Sequence, residues 1–276
     1  MDFGPILDAI NANVPRCENT YTGDDGLLHC AVCHRAVQVR LTHPFNGETR
    51  IQNCVCDCML EEYQKDKERK RQEAIERRRR HCFAETNMAQ WSFANDDMKN
   101  EKLSNAMKRY VYKFAEFKAQ GKGLLLYGPV GTGKTYYAAC IANALIDEGR
   151  SAYMTNFARL TNKLQGMFEG KQEFIDSLNE YDLLVIDDLG IERKTESGYM
   201  QELVYNIVDS RYRAGLPMIV TTNLLPDEIK NTQDERYQRI YDRIIERCFP
   251  VEVTGKSRRR EALRNTHEDM KNELGL

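Results

Sequence analysis

From about residue 83 onward, short apolar runs alternate with stretches in which apolar residues recur every three or four positions. The short runs predict buried strands and the longer periodic stretches predict helices, for example from Tyr199 to Tyr212. The strand candidates are Gly123–Tyr127, Ala152–Thr155, Asp182–Asp187, Met218–Thr222 and Pro250–Val253. Alternating strands and helices predict an α/β domain with a parallel sheet covered on both faces, whose ligands bind at the carboxyl ends of the strands.

The chain divides into three parts: a cysteine-rich segment over residues 1–60, a charged helical linker over 61–85, and the α/β domain over 86–276. In residues 61–80, 15 of the 20 positions are charged, without glycine or proline, which predicts a solvated helix ending in Arg77–Arg80. Contact between this arginine run and a phosphate backbone is the alternative interpretation.

Composition narrows the classes of function. A net charge of −2 means that a nucleic-acid contact has to be local. No apolar run is long enough to span a bilayer, and the N-terminus lacks a signal pattern, so we expect a cytoplasmic chain without a membrane partner. In that compartment the nine cysteines are expected to be metal ligands or free thiols.

The segment from Gly128 to Thr135 matches G-x-x-x-x-G-K-[ST] between a predicted strand and a predicted helix. Its backbone N–H groups are expected to wrap a triphosphate, which side chains in place of the glycines would obstruct. Lys134 is expected to bind the β- and γ-phosphates, and the Thr135 hydroxyl to bind Mg²⁺. The predicted nucleotide-binding residues are Gly128, Pro129, Val130, Gly131, Thr132, Gly133, Lys134 and Thr135.

Polar residues follow two later strands. Asp187 is expected to hold Mg²⁺ through water, and Asp188 to orient or deprotonate the attacking water. Asn223 is expected to hydrogen-bond the γ-phosphate or that water. The alternative is that these side chains cap ordinary turns. Two arginine-rich clusters come next, around Arg243 and after Gly255, and either they stabilise phosphoryl charge or they are surface arginines paired with Asp242, Glu235 and Glu246.

The N-terminal cysteines have zinc-ligand spacing. Cys30 and Cys33 form one short pair, and a second group follows across a loop. Five cysteines compete for four ligand positions: Cys30, Cys33, Cys54, Cys56 and Cys58. His29, His34 and His43 are expected to be bystanders, and Cys17, Cys82, Cys140 and Cys248 to be structural.

The ordered motifs GPVGTGKT, LLVIDDLG, VTTN, RIYDRII and GKSRR resemble those of the AAA+ bacterial helicase loaders of the DnaC/DnaI type, whose close relatives are ATP-binding helpers of certain transposases. The resemblance covers about residues 90–260 and extends to the cysteine-rich start. It implies that Arg243 is the arginine finger completing a neighbour's ATP site, that Asn223 and Arg259 are the two sensors, and that Cys56 and Cys58 complete the zinc set. It also implies an AAA+ core with a five-stranded parallel sheet.

Two departures from the wider AAA+ pattern matter. Asp188 stands where many relatives have glutamate, and only 21 residues follow Gly255, which implies a truncated lid. Both favour a nucleotide-gated switch over a continuous motor.

The resulting expectation is a slow ATPase, stimulated by DNA or a partner, that uses ATP, Mg²⁺ and Zn²⁺. It would load the replicative helicase onto single-stranded DNA, self-associate with ATP, and release on hydrolysis. The alternatives are a transposase helper and a zinc-tethered adaptor with little turnover. A small-molecule kinase would leave the cysteine module and Arg243 without a role.

Overall fold

The computed structural model describes residues 17–42, 47–83, 86–190 and 198–274, which form two compact units, Met1–Ala74 and Ile75–Leu276. The boundary falls inside one long helix, α1 (Asp57–Phe83). Its last turns bury Ile75, Cys82 and Phe83 in the core of the second unit. The segment that we predicted as a linker therefore contributes its final turns to the α/β domain.

The first unit holds two antiparallel hairpins, β1 (Thr20–Thr22) with β2 (Leu28–Cys30) and β3 (Gln38–Thr42) with β4 (Thr49–Asn53). These strands were not predicted from the sequence. The buried hydrophobic cluster of this unit, among the described residues, consists of Cys30, Val37 and Cys56. So small a core needs a cross-link or a metal to hold its fold.

The second unit is built on a five-stranded sheet with the order β6-β7-β8-β5-β9, in which every pairing is parallel. The five predicted strands are all present: two have the predicted ends, and the ends of the other three differ by one or two residues. Their bounds are β5 Gly123–Tyr127, β6 Ala152–Asn156, β7 Leu183–Leu189, β8 Met218–Thr222 and β9 Cys248–Glu252.

Helices cover both faces of this sheet. Leu124 and Leu126 of β5 pack into one buried cluster with α2 (Glu101–Tyr112) and α4 (Lys134–Asp147), whereas Leu125 packs into the other with α5 (Phe157–Gln165), α7 (Gly198–Arg213) and α9 (Glu235–Arg247). This alternation follows from the two-residue period of a strand. The helices are α2 Glu101–Tyr112, α3 Phe114–Ala119, α4 Lys134–Asp147, α5 Phe157–Gln165, α6 Lys171–Ser177, α7 Gly198–Arg213, α8 Pro226–Lys230, α9 Glu235–Arg247 and α10 Arg258–Leu274. Short 3₁₀ helices lie at Asn87–Gln90, Phe93–Asn95 and Leu178–Glu180.

A single helix, α10, follows the last strand within the described residues. Its apolar side chains Leu263, Met270 and Leu274 are exposed. Across the described ranges, we find no helix with both the length and the hydropathy that crossing a membrane requires.

Candidate functional site

The loop between β5 and α4 is shaped by glycines with positive φ, 136° at Gly128 and 83° at Gly131. A Cβ on Gly128 would lie 2.6 Å from the carbonyl oxygen of Val253, and one on Gly131 would overlap the Ser257 side chain. We attributed the glycines to the approach of phosphate. The structure adds a different reason, because the chain after β9 already fills the space that side chains would need.

Lys134 begins α4 and is only 5% exposed. Its Nζ donates hydrogen bonds of 2.8 Å to the carbonyl oxygens of Gly128 and Pro129 and to Oδ1 of Asn223. Burial lowers the pKa of Lys134, and the charges of Asp188 and Asp187 act in the opposite direction. The end of β8 and the glycine loop therefore meet at one ammonium group.

Asp187 and Asp188 lie at an irregularity of β7, where the pairing with β8 shifts register between Ile186 and Leu189. Asp188 has a φ of 57°, and its backbone N–H donates to Oγ1 of Thr221 at 2.9 Å. That hydroxyl in turn donates to Asp187 at 2.6 Å. A bulge of this kind re-aims side chains, so the two neighbouring carboxylates point to different places.

Asp187 accepts a 2.9 Å hydrogen bond from the Thr135 hydroxyl, at the start of α4. Burial raises the pKa of Asp187, and the nearby charge of Asp188 raises it further, whereas the bonds from Thr221 and Thr135 lower it. A partly buried carboxylate touching a hydroxyl in this way has the donor set that Mg²⁺ prefers. Thr221, which ties the pair together, was not predicted from the sequence.

A pocket of about 410 Å³ lies over the glycine loop. It brings together Lys134, Thr135, Asp188, Asn223 and Arg259, as expected for the carboxyl edge of a parallel sheet. Its remaining lining residues are Trp91, Val130, Gly131, Gly133, Tyr136 and Arg258. Trp91 both packs against the core and faces this pocket, with its ring centroid 5.9 Å from that of Tyr136.

Arg258 ties the start of α10 to the glycine loop, a contact that the sequence did not reveal. Its N–H donates to the Gly131 carbonyl at 2.9 Å, and its guanidinium lies 2.9 Å from Asp97. The guanidinium carbon is also 5.8 Å from the Tyr136 ring centroid. The neighbouring Arg259 lines the pocket, and its charge contributes to the lowered pKa of Lys134.

Arg243 lies on α9 and is not among the residues lining this pocket. Its Nε is 2.7 Å from Asp209, and its Nη2 donates to the Tyr205 hydroxyl at 2.9 Å. The sequence offered Asp242, Glu235 and Glu246 as possible surface partners for the arginines. The observed side-chain partners of Arg243 instead come from α7, the helix packed alongside, and its Nη1 also donates to the Arg239 carbonyl of its own helix at 3.0 Å.

In the first unit, Cys30, Cys33, Cys56 and Cys58 place their sulfurs within 4.8 Å of one another. Three of the Sγ–Sγ distances are 3.1, 3.5 and 3.6 Å, close to the roughly 3.8 Å edge of a tetrahedron with zinc–sulfur bonds of about 2.3 Å. The donor set therefore fits Zn²⁺. Cys54 is outside the cluster, since its thiol donates to the Ala36 carbonyl at 3.4 Å.

The protein backbone also favours a thiolate at this cluster. N–H groups of Cys33 and Val32 point at the Cys30 sulfur and lower its pKa to about 6. His29 bonds Asp25 and the carbonyl of His34, while His43 lies outside the described residues. Cys17 packs against the cluster, and Cys82, Cys140 and Cys248 are buried in the second unit.

The family model of the IstB-like ATP binding protein matches residues 57–266, which include the glycine loop, the bulge of β7 and the start of α10. The chain belongs to this family. This IstB-like chain is 31% identical over 153 residues to the replicative helicase loader DnaI of Bacillus subtilis (strain 168), a match that covers 51% of this chain and 48% of DnaI. It is 30% identical over 149 residues to the replicative helicase loader DnaC of Escherichia coli (strain K12), covering 52% and 60%.

The IstB-like chain thus spans about half to three fifths of the length of these curated relatives. A crystal structure of DnaI aligns with a TM-score of 0.50 and 29% identity, over 62% of this chain and 92% of that structure. Together with the five-stranded parallel sheet, this confirms the AAA+ α/β fold predicted from the sequence.

Proposed function

We propose that this chain is an ATPase that loads the replicative DNA helicase onto single-stranded DNA. The observation that carries the proposal is the meeting of Lys134, Thr135, Asp188 and Asn223 at one pocket, in a chain whose matched relatives are named replicative helicase loaders. ATP binding follows from the glycine loop and its family. That the protein loaded is the replicative DNA helicase is the further step of the proposal.

In this proposal the glycine loop holds the triphosphate, with Lys134 beside its terminal phosphates. Thr135 and Asp187 are the residues that would hold Mg²⁺, because their oxygens already lie 2.9 Å apart. Bound Mg²⁺ supplies neutralisation of charge on the phosphoryl group that is transferred. Asp188 accepts the proton of the attacking water or orients it, from the wall of the pocket.

Asn223 then reports which nucleotide is bound. Its Oδ1 accepts a hydrogen bond from Lys134, so a phosphate that attracts the ammonium changes the partners of this amide. The signal would pass along β8 and, through Arg258, to α10. A nucleotide-gated switch needs a link of this kind between the phosphates and a surface that changes.

Two parts of the proposal concern assembly. Arg243 would complete the ATP site of a neighbouring subunit, for which it has to leave Asp209, and the 24% exposure of its side chain supports that access. The N-terminal unit, held by zinc at Cys30, Cys33, Cys56 and Cys58, would bind the helicase. Hydrolysis would release the complex.

The test is the solution mass of this protein mixed with its host's replicative helicase, by light scattering after gel filtration, with ATP and Mg²⁺. The informative variant is Asp188→Asn, which keeps the size of the side chain. Fluorescence of Trp91, the single tryptophan of the chain and part of the pocket lining, checks nucleotide binding directly. Lys134→Ala is the control for nucleotide dependence.

We expect one shared peak with wild type and Asp188→Asn, and its loss with Lys134→Ala. Two separate peaks under all conditions, with normal Trp91 quenching by ATP, would overturn the loader function and leave ATP binding intact. Duplex-DNA binding in that case would favour a transposition helper. Tight nucleotide binding without hydrolysis would favour an adaptor.

A further inference from the structure

The arginine run that ends α1 is divided between the core and the solvent. Arg79 turns inward, with ion pairs to Asp147 and Glu76 of 2.5 Å each and a 3.0 Å hydrogen bond to Asn143. Arg77, Arg78 and Arg80 are exposed. The ion pairs of Arg79 account for Asp147 and Glu76. The three exposed guanidinium groups present positive charge at the surface.

Three aromatic rings lie next to this charge. We name His81, Tyr153 and Tyr181 the aromatic platform. The ring centroids of Tyr153 and Tyr181 are 5.2 Å apart, those of His81 and Tyr181 5.8 Å, and those of His81 and Tyr153 5.9 Å. Since all three distances are similar, the rings form a triangle rather than a column. Tyr181 is roughly parallel to both of the other rings, with interplanar angles of 24° and 21°, and His81 and Tyr153 are tilted by 41° relative to each other.

The platform and the arginines form one continuous surface. Arg77 and His81 are four residues apart on α1, and therefore lie on the same face of the helix. The Arg78 guanidinium reaches within 4.0 Å of the position of a Cβ on Gly149, in the turn that leads into β6 and Tyr153. His81 is exposed and both tyrosines are partly exposed.

This surface lies at the amino ends of the strands. Tyr153 is the second residue of β6, and Tyr181 precedes β7 by two residues. The nucleotide pocket is at the carboxyl ends of the same sheet, so the two places do not overlap. Arg211, a fully buried residue, donates to the backbone carbonyl of Tyr181 at 2.9 Å and holds this part of the platform in position.

We propose that the aromatic platform, together with Arg77, Arg78 and Arg80, is a binding site for single-stranded nucleic acid. Unpaired bases stack on the rings, and the arginines contact the phosphates on either side. Duplex is disfavoured, because paired bases keep their faces inside the helical stack. This site rests on the proposed function in one respect only, since loading a helicase requires a single strand.

The experiment measures fluorescence anisotropy of a labelled oligodeoxythymidine strand, about 20 nucleotides long, with the full chain, ATP and Mg²⁺. Tyr153→Ala removes a ring and Tyr153→Phe retains it. Arg77→Glu with Arg80→Glu reverses exposed charge without touching the core. Arg109→Glu, at an exposed arginine on α2, is the charge-reversal control, and it reverses one charge where the double variant reverses two.

We expect Tyr153→Ala to weaken binding at least about fivefold while Tyr153→Phe stays near wild type. The double arginine variant should weaken binding more and flatten the slope of log affinity against log salt by about 0.7 for each lost phosphate contact. Arg109→Glu should change neither. ATP quenching of Trp91 should be the same in all variants.

Wild-type affinity in the double arginine variant would overturn this site, and a shared peak with the helicase would show that the loader function still stands. Equal weakening by Arg109→Glu would mean diffuse electrostatics and would also overturn the site. A wild-type chain that binds the helicase and no single strand would reject the site alone. A wild-type chain that binds neither the helicase nor a single strand would reject both the site and the loader function.

Discussion

Replacing Arg211 with methionine tests how the two strands that carry the candidate site are held together. Arg211 is 1% exposed and donates five hydrogen bonds to the backbone carbonyls of Pro217, Leu178, Tyr181 and Asp182. Tyr181 and Asp182 precede β7, and Pro217 precedes β8. The guanidinium thus joins the beginnings of the strands that end near Asp187 and Asn223. Methionine has similar reach and no donor.

The expected loss of stability in Arg211→Met is worked out from the shorter hydrogen bonds of Arg211. Three of the five are 2.8, 2.9 and 3.1 Å, and hydrogen bonds from a charged donor each contribute roughly 1.5 kcal/mol or more after desolvation is included. The cost of desolvation is visible in the pKa of Arg211, which burial lowers to about 10. The free energy of unfolding should therefore fall by about 4 kcal/mol, which corresponds to a decrease in Tm of about 8–16 °C for a domain of this size.

The assay is urea and thermal unfolding followed by Trp91 fluorescence, which reports on the second unit alone. Arg213→Met is the matched control on the same helix: its side chain is 75% exposed and pairs with Asp209 at 2.8 Å, so we expect a change of about 1 kcal/mol or less. A loss under about 1 kcal/mol in Arg211→Met would refute the reasoning, because the carbonyls would then have found other donors.

Three further predictions concern the two sites. Gly128→Ala should lower the free energy of unfolding in urea more than Gly215→Ala. Both glycines have positive φ, so alanine at either position adds backbone strain of about 1–3 kcal/mol, but only the Cβ at position 128 would also meet a neighbouring carbonyl. Equal losses in the two variants would contradict this. Asp187→Asn should raise the Tm of the nucleotide-free protein at pH 7, since burial raises the Asp187 pKa and penalises its ionised form. The gain should vanish as the pH falls below 3.8, where the carboxyl is protonated in both states, and a pH-independent difference would exclude this cause. Cys58→Ser should lower the zinc content measured by atomic emission, whereas Cys54→Ser should not; equal loss in both would place Cys54 in the metal site.

Some features of the site depend on residues far apart in the chain. Lys134 and Asn223 are separated by 89 positions, and Thr135 and Asp187 by 52. Strand-end positions predicted that these residues would be neighbours, because carboxyl ends of parallel strands meet at one edge. Which carboxylate faces the pocket was not predictable, since the β7 bulge is a property of its pairing with β8.

For the arginines too, the sequence predicted some features and the fold decided others. Motif position indicated Arg259, but the ionic tether of Arg258 to Asp97 depends on how the chain after β9 lies against the glycine loop. Arg243 was predicted as the arginine finger of a neighbour's ATP site or as a surface arginine, and its partners Asp209 and Tyr205 became apparent only with the packing of α9 on α7. Burial of Arg211 had no local signal, because its four acceptors are backbone carbonyls.

By itself, the sequence determined the glycine loop, the five parallel strands, the helices between them and the cysteine spacing. Each of these depends on the backbone geometry and burial of a few neighbouring residues, which leave a local pattern. The tertiary structure alone decided that α1 enters the core and that His81, Tyr153 and Tyr181 meet. These facts arise from packing between distant segments, where contact depends on the whole fold and leaves no periodic trace in the chain.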